Sequence, residues 1–228
     1  MIVTAKAGKA GSRGEPEKTR AAILKAALEE FSHEGVAGAR IDEIARRAGV
    51  NKALLYYYFK DKEGLYAAAL DEVFAGLSER VEAALKAVHL SPRQRLLGYV
   101  RAHFDYIAST PVYPGLVQRE FMRFAGKTLS PIASRIVERY GKPIYEKLGS
   151  LVREGIAAGE FRKVDPEQTV TSLLGIISFY FTSLTAQQVM LPGDPSSSER
   201  IAARRAAVLD FVSAALFAPV RTAKGKSH

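Results

Sequence analysis

The chain has no cysteine and no tryptophan, and only three methionines and four histidines among its 228 residues. Without cysteine there are no disulfide scaffolds, thiolate zinc sites or cysteine nucleophiles, which fits a reducing compartment. The histidines, His33, His89, His103 and His228, stand far apart, and no H-E-x-x-H pair offers two imidazoles to one zinc. No G-x-S-x-G nucleophile elbow occurs. Gly126-Lys127-Thr128 matches the end of a phosphate-binding loop, but Phe121 stands where that loop needs its first glycine, and no strand precedes it. The chain is therefore not expected to be an enzyme, and no cofactor or metal is expected. Strand-like alternation is also missing, so no sheet is expected. Met1 to Gly14 carries Lys6, Lys9 and Arg13 but no apolar h-region, which predicts a flexible basic tail (residues 1–15) rather than a signal peptide. Gln168 to Gly193 is uncharged and long enough to span a bilayer, but its many Gln, Thr and Ser residues predict a helix buried in protein, with no membrane partner.

What is present is ordinary globular composition, 47% hydrophobic and 25% charged, with 33 Lys plus Arg against 24 Asp plus Glu. The resulting charge of +9 suits a polyanionic partner, although residues 1–64 hold 12 basic and 9 acidic residues, a local excess of only 3. Helical periodicity fills nearly every stretch between breakers. Pro16 opens a first helix whose stripe is Ile23, Leu24, Ala27, Leu28 and Phe31, and Gly35 ends it. Ile41 to Ala48 and Asn51 to Phe59 are short helices, and Asp61 caps a long fourth helix reaching about Val88. Ser91-Pro92, Thr110-Pro111, Ser130-Pro131, Asp165-Pro166 and the Leu191–Ser198 stretch punctuate the remainder, and Pro143 predicts a kink. The expectation is an all-α chain of nine or ten helices.

The segment from Ile41 to Phe59 carries the most information. A helix-turn-helix needs a small residue where its second helix crosses the first, a residue tolerant of positive φ at the turn, and an apolar residue closing the pair. Ala45, Gly49 and Leu55 meet these needs at matching spacing. The free side of the second helix then offers DNA chemistry. Asn51 and Lys52 lie at the end that meets base edges, where Lys suits guanine and Asn suits adenine. Leu54 can press on a thymine methyl. Tyr56, Tyr57 and Tyr58 offer hydroxyls to phosphates, and Lys60 and Lys62 flank a helix N-terminus that also favours phosphate.

The run Ile44-Ala45, then Ala48 through Glu63, followed by Leu65, resembles the DNA-binding signature of the tetracycline-repressor (TetR) family, and the preceding helix with Ala26-Ala27, Phe31 and Gly35 fits it. The resemblance covers about residues 17–65 and continues only as a general layout. It implies a homodimeric bacterial transcriptional regulator of the cytoplasm, usually a repressor, released from a palindromic double-stranded DNA operator by a small molecule. By position it assigns base reading to Lys52, Ala53 and Leu54, and phosphate contact to Tyr56, Tyr58 and Lys62. Members often carry Ser or Thr before the second helix, where this sequence has Ala39 and Arg40, and Arg40 is a candidate phosphate contact. The domains expected are a helix-turn-helix domain at 16–64, a ligand-binding and dimerisation domain at 65–218 and a tail at 219–228.

In the larger domain, an apolar pocket with a few polar anchors is expected. Tyr99, His103 and Tyr106 share a face of the fifth helix, and Glu120, Phe121, Phe124, Phe179 and Tyr180 are further candidates. Helices at about 166–190 and 198–217, the latter with Ile201, Val208, Val212 and Leu216 in one stripe, are expected to form a four-helix dimer interface. Two alternatives remain at this point: a ligand-independent, nucleoid-type DNA-binding protein, and a helical enzyme working through scattered carboxylates.

Overall fold

A computed structural model describes residues 16–122 and 128–219. The tails expected at 1–15 and from 220 onward, Phe124, the side chain of Phe121 and Gly126-Lys127 lie outside the described residues. The described chain is all-α and forms two compact units that divide between Glu72 and Val73. The division falls inside a helix, later than the start of that helix, where the sequence suggested it.

The first unit contains α1 (Pro16–Gly38), α2 (Ile41–Ala48), α3 (Lys52–Phe59) and the beginning of α4 (Lys62–Leu85). Gly35, at φ 68 and ψ 176, breaks the helical path of α1, and a further short turn carries the chain to Gly38. Ile23, Ala27 and Phe31 of α1, Ile44 and Ala45 of α2, Leu55 and Phe59 of α3, and Leu65 and Tyr66 of α4 are buried together. Full burial of each large apolar side chain stabilises by about 1.5–3 kcal/mol. Phe31 and Tyr66 meet edge to face with centroids 4.9 Å apart.

The second unit holds the rest of α4 and α5 (Pro92–Ser109), α6 (Tyr113–Val117), α7 (Pro131–Ile136), α8 (Lys142–Ala157), α9 (Pro166–Thr182), α10 (Leu184–Met190) and α11 (Ser198–Leu216). Helix α5 packs against α8, α9 and α11, and its buried face includes Leu96, Tyr99, Val100, His103, Phe104 and Ile107. The breakers in the sequence become helix starts. Ser91, Ser130, Asp165 and Ser197 each accept a backbone N–H from the first turn of the following helix, and proline follows the first three at N1. The kink expected at Pro143 is a π turn, Val137–Gly141, that joins α7 to α8 as one rod. A wider turn absorbs the missing proline N–H without ending the helix. With that rod counted once, the described chain has ten helices.

One expected element is corrected. The helix expected at 166–190, uncharged from Gln168 onward, is two helices, α9 and α10, bent by 70° at Ser183. The break is stabilised locally because the Ser183 hydroxyl donates to the Phe179 carbonyl at 2.6 Å and the Gln187 amide donates to the Tyr180 carbonyl at 2.9 Å. No single described helix is long and apolar enough to cross a membrane.

Candidate nucleic-acid interface

The helix-turn-helix forms through the three residues that the sequence singled out. Gly49 takes φ 68 and ψ 27, the left-handed region that a β-branched residue avoids, and its N–H closes α2. The backbone at Val50 turns back to the Ala45 carbonyl at 3.0 Å, so the small Ala45 lies where the turn passes closest. Leu55 is wholly buried beneath the pair. The start of α3 is capped by Asn51, whose Oδ1 accepts the Leu54 N–H at 2.7 Å, which leaves its NH2 as the outward donor.

Arg40, Asn51, Lys52, Ala53, Tyr56, Tyr57 and Lys60 are exposed, while Leu54, Tyr58 and Lys62 are half-buried. None of the ten proposed DNA contacts is sealed in the core, and Tyr57 is 81% exposed. The tyrosines divide as helical geometry requires, Tyr58 lying against Tyr57 and Phe59 while Tyr56 and Tyr57 face out. Arg40 stands at the N-cap of α2 without a side-chain cap bond, so its guanidinium is not used there. The Lys62 ammonium donates to the Ala37 carbonyl at 3.2 Å, at the end of α1.

Two carboxylates absent from the sequence reading shape this surface. Glu30 is only 5% exposed, accepts the Arg40 backbone N–H at 3.1 Å and faces Arg47 at 3.6 Å. It therefore ties α1 to the start of α2. The signal was available, because Glu30 falls on the buried stripe of α1 seven residues after Ile23. Asp42, in the first turn of α2, holds the Lys52 ammonium at 2.9 Å and raises its pKa above the ordinary lysine value. On the same helix, hydrogen bonds from Arg46 and then Arg47 pull the Glu43 carboxyl down to about 2. Arg46 and Arg47 are thus held by Glu43, and Arg47 also by Glu30 of α1, as Lys52 is by Asp42, while Arg40, Lys60, Tyr56 and Tyr57 stand exposed.

The Asp42–Lys52 pair is exposed, so it contributes little to stability, but a carboxylate beside a lysine proposed to contact DNA repels phosphate. Asp42→Asn is expected to raise affinity for random-sequence DNA several-fold at low salt and to steepen the salt dependence. Binding isotherms at several salt concentrations check this, and unchanged non-specific affinity would remove the role assigned to Asp42.

The α3–α4 junction is tight. Lys60 has φ 66 and ψ −56, and the Asp61 N–H donates to the Phe59 carbonyl at 2.7 Å, a γ-turn that costs about 1–3 kcal/mol. Asp61 then caps α4 by accepting the Gly64 N–H at 2.7 Å.

Residues 23–69 match the model of the bacterial regulatory proteins of the tetR family, and residues 92–212 match that of the tetracyclin repressor-like C-terminal domain. The chain belongs to the TetR family of DNA-binding transcriptional regulators. The HTH-type transcriptional repressor SCO4008 of Streptomyces coelicolor is 32% identical over 160 residues, covering 70% of this chain and 76% of that one. The HTH-type transcriptional repressor NicS of Pseudomonas putida is 35% identical over 113 residues, 49% of this chain, which spans about half (53%) of that relative. A solved structure of the transcriptional regulator SCO4942 from Streptomyces coelicolor, 27% identical, superposes with a TM-score of 0.65 over 86% of this chain and 97% of its own. Family membership places this protein among regulators rather than enzymes.

In the second unit, the residues suggested for a TetR-family effector pocket separate into two groups. Tyr99, His103, Tyr106, Glu120 and Tyr180 are buried or half-buried. Tyr99 and His103, one turn apart on α5, share a hydrogen bond of 2.8 Å, while His103 Nε2 is buried with no partner. Burial alone brings His103 down to about 4, so its ring is neutral near pH 7. The Tyr106 hydroxyl donates to the Val73 carbonyl at 2.5 Å, and Ser130 donates to Glu120 at 3.1 Å. Phe179 stands apart, 63% exposed. The Tyr180 hydroxyl donates to the Pro195 carbonyl at 2.6 Å. Among the described residues, no three His, Asp or Glu side chains gather as a metal site.

Proposed function

We propose that this chain is a homodimeric, sequence-specific repressor of the bacterial cytoplasm that leaves a palindromic operator when a small molecule enters the second unit. The exposed face of α3, with Lys52 at its N-terminal end, is the observation that carries the DNA reading. A helix presented in this way enters the major groove with its first residues at the base edges, and a twofold dimer repeats that contact about 34 Å away along the duplex. Lys52 reads a guanine edge and Asn51 an adenine edge, Ala53 and Leu54 pack against the groove floor, and Tyr56, Tyr57, Tyr58, Lys60, Lys62 and Arg40 grip phosphates. The effector site lies beside Tyr99 and His103. No membrane partner is involved in this reading.

Footprinting with the purified protein tests the reading: a short protected palindrome is expected, and uniform protection at a steep salt slope would support a nucleoid-type protein instead. Lys52→Ala is expected to weaken the operator about tenfold to a hundredfold and to relax preference at one base pair per half-site. Selection from a random DNA library with the variant checks this, and an unchanged consensus would contradict base reading by Lys52.

A further inference from the structure

Four buried side-chain nitrogens among the described residues lack a partner: Arg93 Nε, Arg204 Nε, Arg205 Nε and His103 Nε2. The three guanidinium groups are already in use, since their Nη2 atoms bind the Ala218 carbonyl, the Ile176 carbonyl and the Asp105 carboxylate respectively. His103 differs because its remaining nitrogen has no such role. It also lies on the buried face of α5, in the place proposed for the effector.

The state of that nitrogen follows from its neighbour. Tyr99 is fully buried, and its hydroxyl meets His103 Nδ1 at 2.8 Å with no second acceptor. A buried phenol that cannot donate to water must donate to Nδ1. Nδ1 is then the acceptor of a neutral imidazole, and the ring proton resides on Nε2. A lone N–H is thereby left buried without a partner. Among the described residues, no charged side chain bonds to either ring. The pKa of His103 is displaced by burial alone, and that of Tyr99 by burial and then by Tyr113, itself a buried neutral phenol. A carboxylate would give up its hydration there for a single neutral donor, and an ammonium would meet another donor instead of an acceptor.

We infer that His103 Nε2–H anchors an uncharged oxygen acceptor of the effector, a ketone, ester or amide carbonyl on an apolar body, an inference that rests on the effector-pocket reading above. Tyr99 is the positioning residue that fixes the donating tautomer.

The test is nitrogen NMR of the full chain labelled at histidine, with His103 assigned by the signal lost in His103→Gln. The free protein is expected to show His103 protonated at Nε2 and bare at Nδ1. Cyclohexyl methyl ketone, cyclohexanecarboxylate and cyclohexylmethylamine, which share one apolar ring, are then added in turn. A shift of the Nε2 signal by the ketone alone supports the proposal, and Tyr99→Phe should abolish the single-tautomer signal. A proton on Nδ1 in the free protein overturns the proposal before any ligand is added. A response to the carboxylate or the amine instead of the ketone overturns the acceptor chemistry and leaves the pocket reading intact. Silence toward all three overturns the pocket reading together with the inference.

Discussion

Gly64→Ala is expected to destabilise the DNA-binding unit by about 3 kcal/mol and to abolish operator binding near its melting range. Gly64 lies in the first turn of α4 with ordinary helical backbone, so the cost comes from space and not from φ. A Cβ added there would press against the Phe59 carbonyl oxygen, well inside van der Waals contact, and would approach Asp61 Oδ1 at 3.2 Å. The carbonyl cannot swing away as a side-chain tip could. It already accepts the Asp61 N–H across the γ-turn, and Lys60 already holds a strained positive φ to form that turn. Relief therefore has to come from tilting α3, whose last residue is Phe59, and with it the face that carries Lys52 to Tyr57. Thermal unfolding and operator titration of the variant measure the two consequences separately. Wild-type stability together with wild-type operator affinity would show that the junction has room that this packing denies.

The γ-turn also marks where sequence reading stopped. The helix-turn-helix was legible because its requirements are local: Ala45, Gly49 and Leu55 are each dictated by a turn or a crossing a few residues away. The breaks at Ser91-Pro92, Ser130-Pro131 and Asp165-Pro166 were legible for the same reason, although the capping role of Ser91, Ser130 and Asp165 emerges only with the helices placed. Gly64 was passed over because a glycine inside a helical pattern announces nothing until the neighbouring helix end is placed against it. Glu30 and Asp42 were missed because their partners, Arg40, Arg47 and Lys52, belong to other helices. The bend at Ser183 was hidden by an uncharged stretch that reads as one helix, with the hydroxyl and amide that stabilise the break recognisable only once their acceptors, the carbonyls of Phe179 and Tyr180, are placed. The orphaned His103 nitrogen is likewise a property of what surrounds a residue in space.

Phe211→Glu is expected to convert the proposed dimer to monomer at micromolar concentration and to reduce operator affinity by orders of magnitude. Phe211 on α11 is 61% exposed and Phe179 on α9 is 63% exposed, an unusual position for two phenylalanines on the surface of a single chain. Their helices present small or apolar residues beside them. Gly175 lies in open space on α9, Ala203, Ala207 and Ala214 are exposed on α11, and Ser172, Ile176, Phe211 and Ala215 line one groove between the two helices. Such a face accepts a second copy across a twofold axis, with helices able to approach closely over the small residues. Because the axis places each substitution in the interface twice, loss of two buried phenylalanines costs about 3–6 kcal/mol, on the order of 10²–10⁴-fold in the dimer dissociation constant. The two introduced carboxylates add a desolvation penalty to that loss. The fold of each chain should survive, since Val208, Val212 and Leu216 supply the buried stripe of α11 and Phe211 does not belong to it. Sedimentation equilibrium beside circular dichroism separates these outcomes. A variant that stays dimeric and holds its operator would place the dimer contact elsewhere than α9 and α11, whereas a folded monomer with only half-site affinity is the result this geometry requires.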